Sequence, residues 1–216
     1  MQTCDISVLI TCFEKEKFLN ECIESVLRNT KQPKEIIVVH DACKEPMHHI
    51  KVTSIFLKNN EGVAHARDVA FKFSTGKLIL FLDADDVLSP DYLEKMTLVI
   101  SKGADIAYPD LFLWCGNDSQ LTVTPNKLDI PFVKRKKRVI IPVTSMMGRQ
   151  VYEKLGGFKK MDALEDLEFF VRALKEGFVF KKAQTLLWYR RYNGTRNAIG
   201  LDKRFKIVEE AISQLP

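Results

Sequence analysis

The chain has 216 residues, of which 46% are apolar and 28% charged, and a net charge of +5. That length fits a single domain with a full core, and that balance excludes a disordered chain. No apolar run approaches the ~20 residues of a membrane helix, and the start Met1-Gln2-Thr3-Cys4-Asp5 lacks the basic and apolar parts of a signal peptide, so a cytoplasmic location is expected.

The first half alternates two hydrophobic periods. Residues 6–11 form a short β-branched apolar run, as a buried parallel strand does. Phe18, Leu19, Cys22, Ile23, Val26 and Leu27 then recur at helical spacing. Pro33 marks the break before a second strand over 35–40, and a third is expected over 52–57. Gly62 precedes a second amphipathic helix with Val63, Ala66, Ala70 and Phe73 on one face, and Gly76 is expected to cap its end. A fourth strand covers 77–82.

Ser89-Pro90-Asp91 reads as the start of a helix that runs to about Ser101. Strands are expected over 106–114 and 139–143, joined by a polar loop over 116–137. Helices follow over 149–155 and 165–176, two late strands over 178–181 and 185–189, and a terminal amphipathic helix over 201–215. Strands alternating with helices imply βαβ units and a mostly parallel sheet. Such sheets bind ligands outside the carboxyl ends of their strands.

Carboxylates gather at that edge. The first strand runs into Phe13-Glu14, the second ends at His40-Asp41, and the fourth runs into Asp83-Ala84-Asp85-Asp86. Three aspartates within four positions repel one another unless a cation or water relieves them. Hard divalent ions such as Mg2+ take oxygen ligands of this kind, often together with substrate phosphates. The alternative is an acidic turn leading into the helix after Ser89. Glu165-Asp166 opens another helix, where the dipole favours carboxylates. Asp166 becomes a candidate general base if it faces the aspartate cluster.

The five cysteines form no C-x-x-C pair, and His40, His48, His49 and His65 show no metal spacing, so reduced, mostly buried thiols are expected. No phosphate-binding G-x-x-x-x-G-K-[ST] loop or dinucleotide G-x-G-x-x-G occurs. The run Lys134-Arg135-Lys136-Lys137-Arg138 is either a solvated loop or a contact for an anionic membrane surface or acidic acceptor. It has no interleaved aromatics for base stacking, so nucleic acid is not an expected partner.

Five ordered blocks carry a resemblance. They are residues 7–14, 35–41, 60–68, Leu82-Asp83-Ala84-Asp85-Asp86, and Leu155-Gly156-Gly157-Phe158 followed by Glu165-Asp166. Together they resemble the family 2 glycosyltransferases of GT-A fold. The resemblance implies a Rossmann-like α/β domain over residues 1–216, with residues 1–88 binding a nucleotide sugar and 89–216 the acceptor. It implies that Thr11, Phe13 and Glu14 line the base pocket, that Asp41 hydrogen-bonds the base, and that Asn60, Gly62 and Arg67 run beneath the donor. Asp83, Ala84 and Asp85 match the D-x-D segment, with Asp83 and Asp85 as ligands of Mn2+ or Mg2+, and Asp166 matches the base.

The implied reaction is inverting transfer from a UDP-sugar to a glycan, glycolipid or glycoprotein. Non-catalytic nucleotide-sugar binding and nucleotidyl transfer are the alternatives. Departures from the family pattern are His40-Asp41-Ala42-Cys43 in place of Asp-Asp-Gly-Ser, Asp68 in place of asparagine, and Tyr189-Arg190-Arg191-Tyr192 without a following histidine. The Gln-x-x-Arg-Trp element of processive synthases is absent, so single addition is expected.

Overall fold

The computed structural model describes residues 4–45, 48–115, 118–136, 141–161, 163–190 and 201–216. The strands are β1 (Cys4–Cys12), β2 (Pro33–Asp41), β3 (Thr53–Leu57), β4 (Leu78–Asp83), β5 (Val87–Leu88), β6 (Ile106–Cys115), β7 (Asp118–Thr122), β8 (Met146–Gly148) and β9 (Phe180–Arg190). The helices are α1 (Glu16–Leu27), α2 (Val63–Phe73), α3 (Tyr92–Ser101), α4 (Ile130–Lys136), α5 (Arg149–Leu155), α6 (Glu165–Lys175) and α7 (Leu201–Ser213).

One sheet runs β3-β2-β1-β4-β8-β6-β9-β5, with β7 paired to β6. β3, β2, β1 and β4 are parallel to one another, whereas β8 pairs antiparallel with both β4 and β6. The register sets Thr11 beside Asp83 and Asp41 beside Leu57, so the ends of four strands share one edge. Alternation along β1 divides the core between two faces. Leu9 packs with the α2 and α6 residues Ala66, Ala70, Phe169 and Phe170, while Val8, Ile10 and Cys12 pack with Leu19, Cys22 and Ile23 of α1. Each fully buried Leu or Ile contributes about 1.5–3 kcal/mol, which is why these stripes fix the helix orientations.

Several sequence expectations are corrected. Gly76 does not cap α2, which ends at Phe73 with Ser74 extended. A Cβ at Gly76 would stand 2.5 Å from the Ser7 Oγ and 2.6 Å from its backbone nitrogen, so close strand packing is what requires glycine there. The 116–137 segment is not all loop, because it holds β7 and α4. Residues 141–143 lie outside any strand, and residues 139–140 lie outside the described residues. The two late strands are one, β9, which lies parallel to β6 across a register shift between Tyr108 and Asp110. Asp91 does not cap α3 with its side chain but accepts the hydroxyls of Ser89 at 3.0 Å and Thr185 at 2.8 Å.

Lys134, Arg135 and Lys136 form the last turn of α4; positions 137–138 of the basic run and positions 191–192 after β9 lie outside the described residues. Among the described residues no helix is long and apolar enough to cross a membrane.

Candidate active site

β4 ends at Asp83, and the chain turns sharply there. The Ala84 amide donates to the Thr11 carbonyl at 3.1 Å, and the Asp86 amide donates to the Asp83 carbonyl at 3.0 Å. This tucks Ala84 and Asp86 into the protein at 1% exposure and leaves Asp83 and Asp85 partly open. The Lys15 ammonium lies 3.7 Å from Asp85 Oδ2, longer than a hydrogen bond. Asp83 and Asp85 thus offer hard oxygen donors of the type Mg2+ and Mn2+ accept, and the residues fit such an ion.

Arg67 of α2 ties this turn to the second half of the chain. Its guanidinium donates to Asp83 Oδ1 at 2.9 Å and to Glu165 Oε1 at 2.7 Å. Burial alone would weaken the charge on Arg67, but Asp83, Glu165 and Asp166 around it outweigh burial and hold it protonated. Its Nε is buried without a hydrogen-bond partner among the described residues.

Asp166 stands beside this ion pair. Its Oδ1 accepts the Leu167 amide at 2.8 Å. Loss of water pushes its carboxyl up to about 6, reinforced by the charges of Glu165 and Asp83 and opposed by Arg67 and the Leu167 amide. A carboxyl raised toward neutral pH among neighbouring charges suits proton transfer.

On the other side of the edge, Asp41 accepts the amides of Glu61 at 2.8 Å and Gly62 at 3.0 Å, and so fixes the start of α2. Asn60 Oδ1 also accepts from Gly62, at 3.0 Å. Gly62 has φ 87°, a conformation that L side chains rarely adopt. Thr11 is buried, whereas Phe13 is 40% exposed and Glu14 is exposed. Among the described residues, the non-glycine residues with positive φ are Glu14 after β1, Ala42 after β2, and Leu164 before α6, all flanking this edge. Such strain collects at functional sites.

The structure therefore brings Asp83, Arg67 and Asp166 together, links Thr11 to Ala84, and groups Asp41 with Asn60 and Gly62. It adds three features that sequence reasoning missed: Lys15 facing Asp85, Glu165 as the partner of Arg67, and the convergence of Cys12, His40 and Cys43, whose ligating atoms lie within 4.8 Å of one another. None had a local signal, because each depends on contacts between elements distant in the chain. Burial, above all, pushes the Cys12 thiol up to about 11 and Cys43 higher still, so neither is poised as a nucleophile. A cleft of about 680 Å³ lined by Ser89, Asp91, Asp110, Lys182 and Thr185 shares no residue with this site.

Carboxylates thus line the carboxyl edge of four parallel strands, the place where such sheets bind ligands. The family profile "Glycosyl transferase family 2" matches residues 7–156, and the chain belongs to that family. It is 25% identical to an uncharacterised glycosyltransferase of Haemophilus influenzae over 91% of this chain and 71% of the relative. It is 28% identical to the glycosyltransferase MJ1057 of Methanocaldococcus jannaschii over 93% of this chain and 74% of the relative. The crystal structure of S. aureus TarS 1–349 in complex with UDP-GlcNAc matches with a TM-score of 0.77 at 16% identity, covering 96% of this chain. This chain spans 65% of that solved chain, so the likeness speaks to the fold.

Proposed function

We propose that this glycosyltransferase carries out an inverting, divalent-metal-dependent transfer from a UDP-sugar to a hydroxyl of a glycan, glycolipid or glycoprotein. The observation that carries this reading is Asp166, raised to about 6 and set beside the Arg67–Asp83 pair. UDP is favoured because the TarS neighbours contain UDP-GlcNAc and UDP.

In this reading Asp85, with Asp83, holds the ion, which when bound supplies Lewis-acid stabilisation of charge on the departing diphosphate. Arg67 fixes the directions of Asp83 and of Glu165 beside the base. Asp166 accepts the acceptor hydroxyl proton as the oxygen attacks the anomeric carbon from the face opposite the nucleotide. Thr11, Phe13 and Glu14 border the base, and Asn60 and Gly62 pass beneath the donor. Asp41 reaches the base while holding the 61–62 turn. The half-exposed Trp188 supports an acceptor surface in the second half, because it pairs with Val87, four residues beyond Asp83, and offers an aromatic face to a sugar ring.

The test is a panel of nucleotide sugars incubated with Mn2+ and read as released nucleoside diphosphate. The reading expects metal-dependent UDP release from at least one UDP-sugar. Pyrophosphate formation from a nucleoside triphosphate and a sugar phosphate would favour nucleotidyl transfer, and binding without release would favour a non-catalytic module.

A further inference from the structure

A second group of side chains converges behind the strand ends that carry Thr11 and Asp41. Cys12 lies directly beside His40 in the parallel β1–β2 pair. Cys12 faces α1, whereas Leu9 and Val39 face α2, so the Cys12–His40 pair sits on the sheet face opposite Thr11 and Asp41. The chain then reverses at Ala42, whose φ of 56° is in the left-handed region. That reversal folds Cys43 back until its thiol donates to the Cys12 carbonyl at 3.1 Å. Cys12 Sγ, an imidazole nitrogen of His40 and Cys43 Sγ all lie within 4.8 Å of one another. Glu16, which opens α1, accepts the Lys44 amide at 3.0 Å and hydrogen-bonds with Cys43.

Metal chemistry selects among cations for such a set. Tetrahedral zinc with bonds of about 2.3 Å to sulfur and about 2.0–2.1 Å to nitrogen puts neighbouring ligand atoms about 3.5–3.8 Å apart. The observed separations, at most 4.8 Å, lie within about 1 Å of that range. Thiolate and imidazole ligands select zinc over the Mg2+ or Mn2+ that carboxylates take.

We propose that Cys12, His40 and Cys43 form a zinc-class metal site, completed by the Glu16 carboxylate or a water, and separate from the Asp83–Asp85 carboxylates. Four ligands from the protein would close the site, which is the mark of a structural metal. Bound there, the ion ties the end of β1 to the turn after β2 and braces the edge between them. This holds whether or not the chain transfers sugar.

The experiment uses the reduced, chelator-washed chain titrated with Co2+ alone, without nucleotide. One equivalent is expected to bind with a thiolate-to-cobalt charge-transfer absorption that Zn2+ displaces. Cys43→Ala, on a half-buried turn, is expected to weaken Co2+ binding more than about tenfold, while Asp85→Ala keeps the absorption. Independently of any variant, Zn2+ is expected to slow alkylation of Cys43 in the wild-type chain, located by peptide mass. Co2+ binding without thiolate absorption, absorption that survives in a folded Cys43→Ala, absorption lost in Asp85→Ala, or alkylation unaffected by Zn2+ would each overturn the proposal.

Discussion

Arg67 and Glu165 stand 2.7 Å apart although 98 positions separate them in the chain. The same guanidinium holds Asp83, so one buried cation joins α2, the end of β4 and the start of α6. Removing one member of a buried ion pair leaves the others uncompensated and costs about 3–5 kcal/mol. Arg67→Ala is therefore expected to lower stability by that amount in urea denaturation. A loss below about 1 kcal/mol would mean that Arg67 is not the tie between the halves.

Asp166 should make stability depend on pH. An unfolded aspartate loses its proton near ~3.9, whereas burial holds Asp166 up to about 6 in the folded chain. The folded state binds more protons between these values. The stabilising contribution is thus fully present below about pH 4 and lost as pH rises through about 6. Asp166→Asn is expected to be more stable than wild type by about 1–3 kcal/mol near pH 8, and equal to it below about pH 4. Melting curves across that range check it, and equal stability at pH 8 would contradict the burial of this charge.

Ala42 occupies a left-handed conformation that glycine adopts without strain. Ala42→Gly should raise stability by about 0.5 kcal/mol, the relief of strain exceeding the added freedom of the unfolded chain. A loss of more than about 1 kcal/mol in denaturant midpoints would mean that the methyl group makes a compensating contact.

The basic turn of α4 is predicted to be dispensable for chemistry on the donor. Changing Lys134, Arg135 and Lys136 together to Gln should leave UDP release from a UDP-sugar unchanged. Loss of release would draw the turn into the donor site. Loss of sedimentation with anionic vesicles, with release intact, would make it a membrane contact.

The first half of the fold was legible because each strand and helix there carries its own period. Residues 36–39 are apolar on both sides, as a central parallel strand is, and Leu19, Cys22, Ile23 and Val26 bury one stripe of α1. The second half was less legible. β8 is three residues long and defined by its antiparallel partners, and Lys181, Lys182 and Gln184 interrupt the apolar pattern of what proves to be one strand, β9. The aspartates after β4 were found because strand ends mark the ligand edge. The partners of Arg67, and the meeting of Cys12 with His40 and Cys43, arise from register and a turn at Ala42, which no spacing encodes.

The central claim divides labour between two carboxylates, Asp85 for the leaving diphosphate and Asp166 for the incoming hydroxyl. Asp166→Asn keeps the size and polarity of the side chain but cannot take the proton. The most direct measurement is UDP release from the active UDP-sugar by Asp166→Asn, paired with calorimetry of UDP and Mn2+ on the same preparation. The account predicts nucleotide affinity within a few-fold of wild type and release slower by roughly 100-fold or more. Release near the wild-type rate from a folded Asp166→Asn would contradict it, and Asp166 would then be only a helix-start carboxylate.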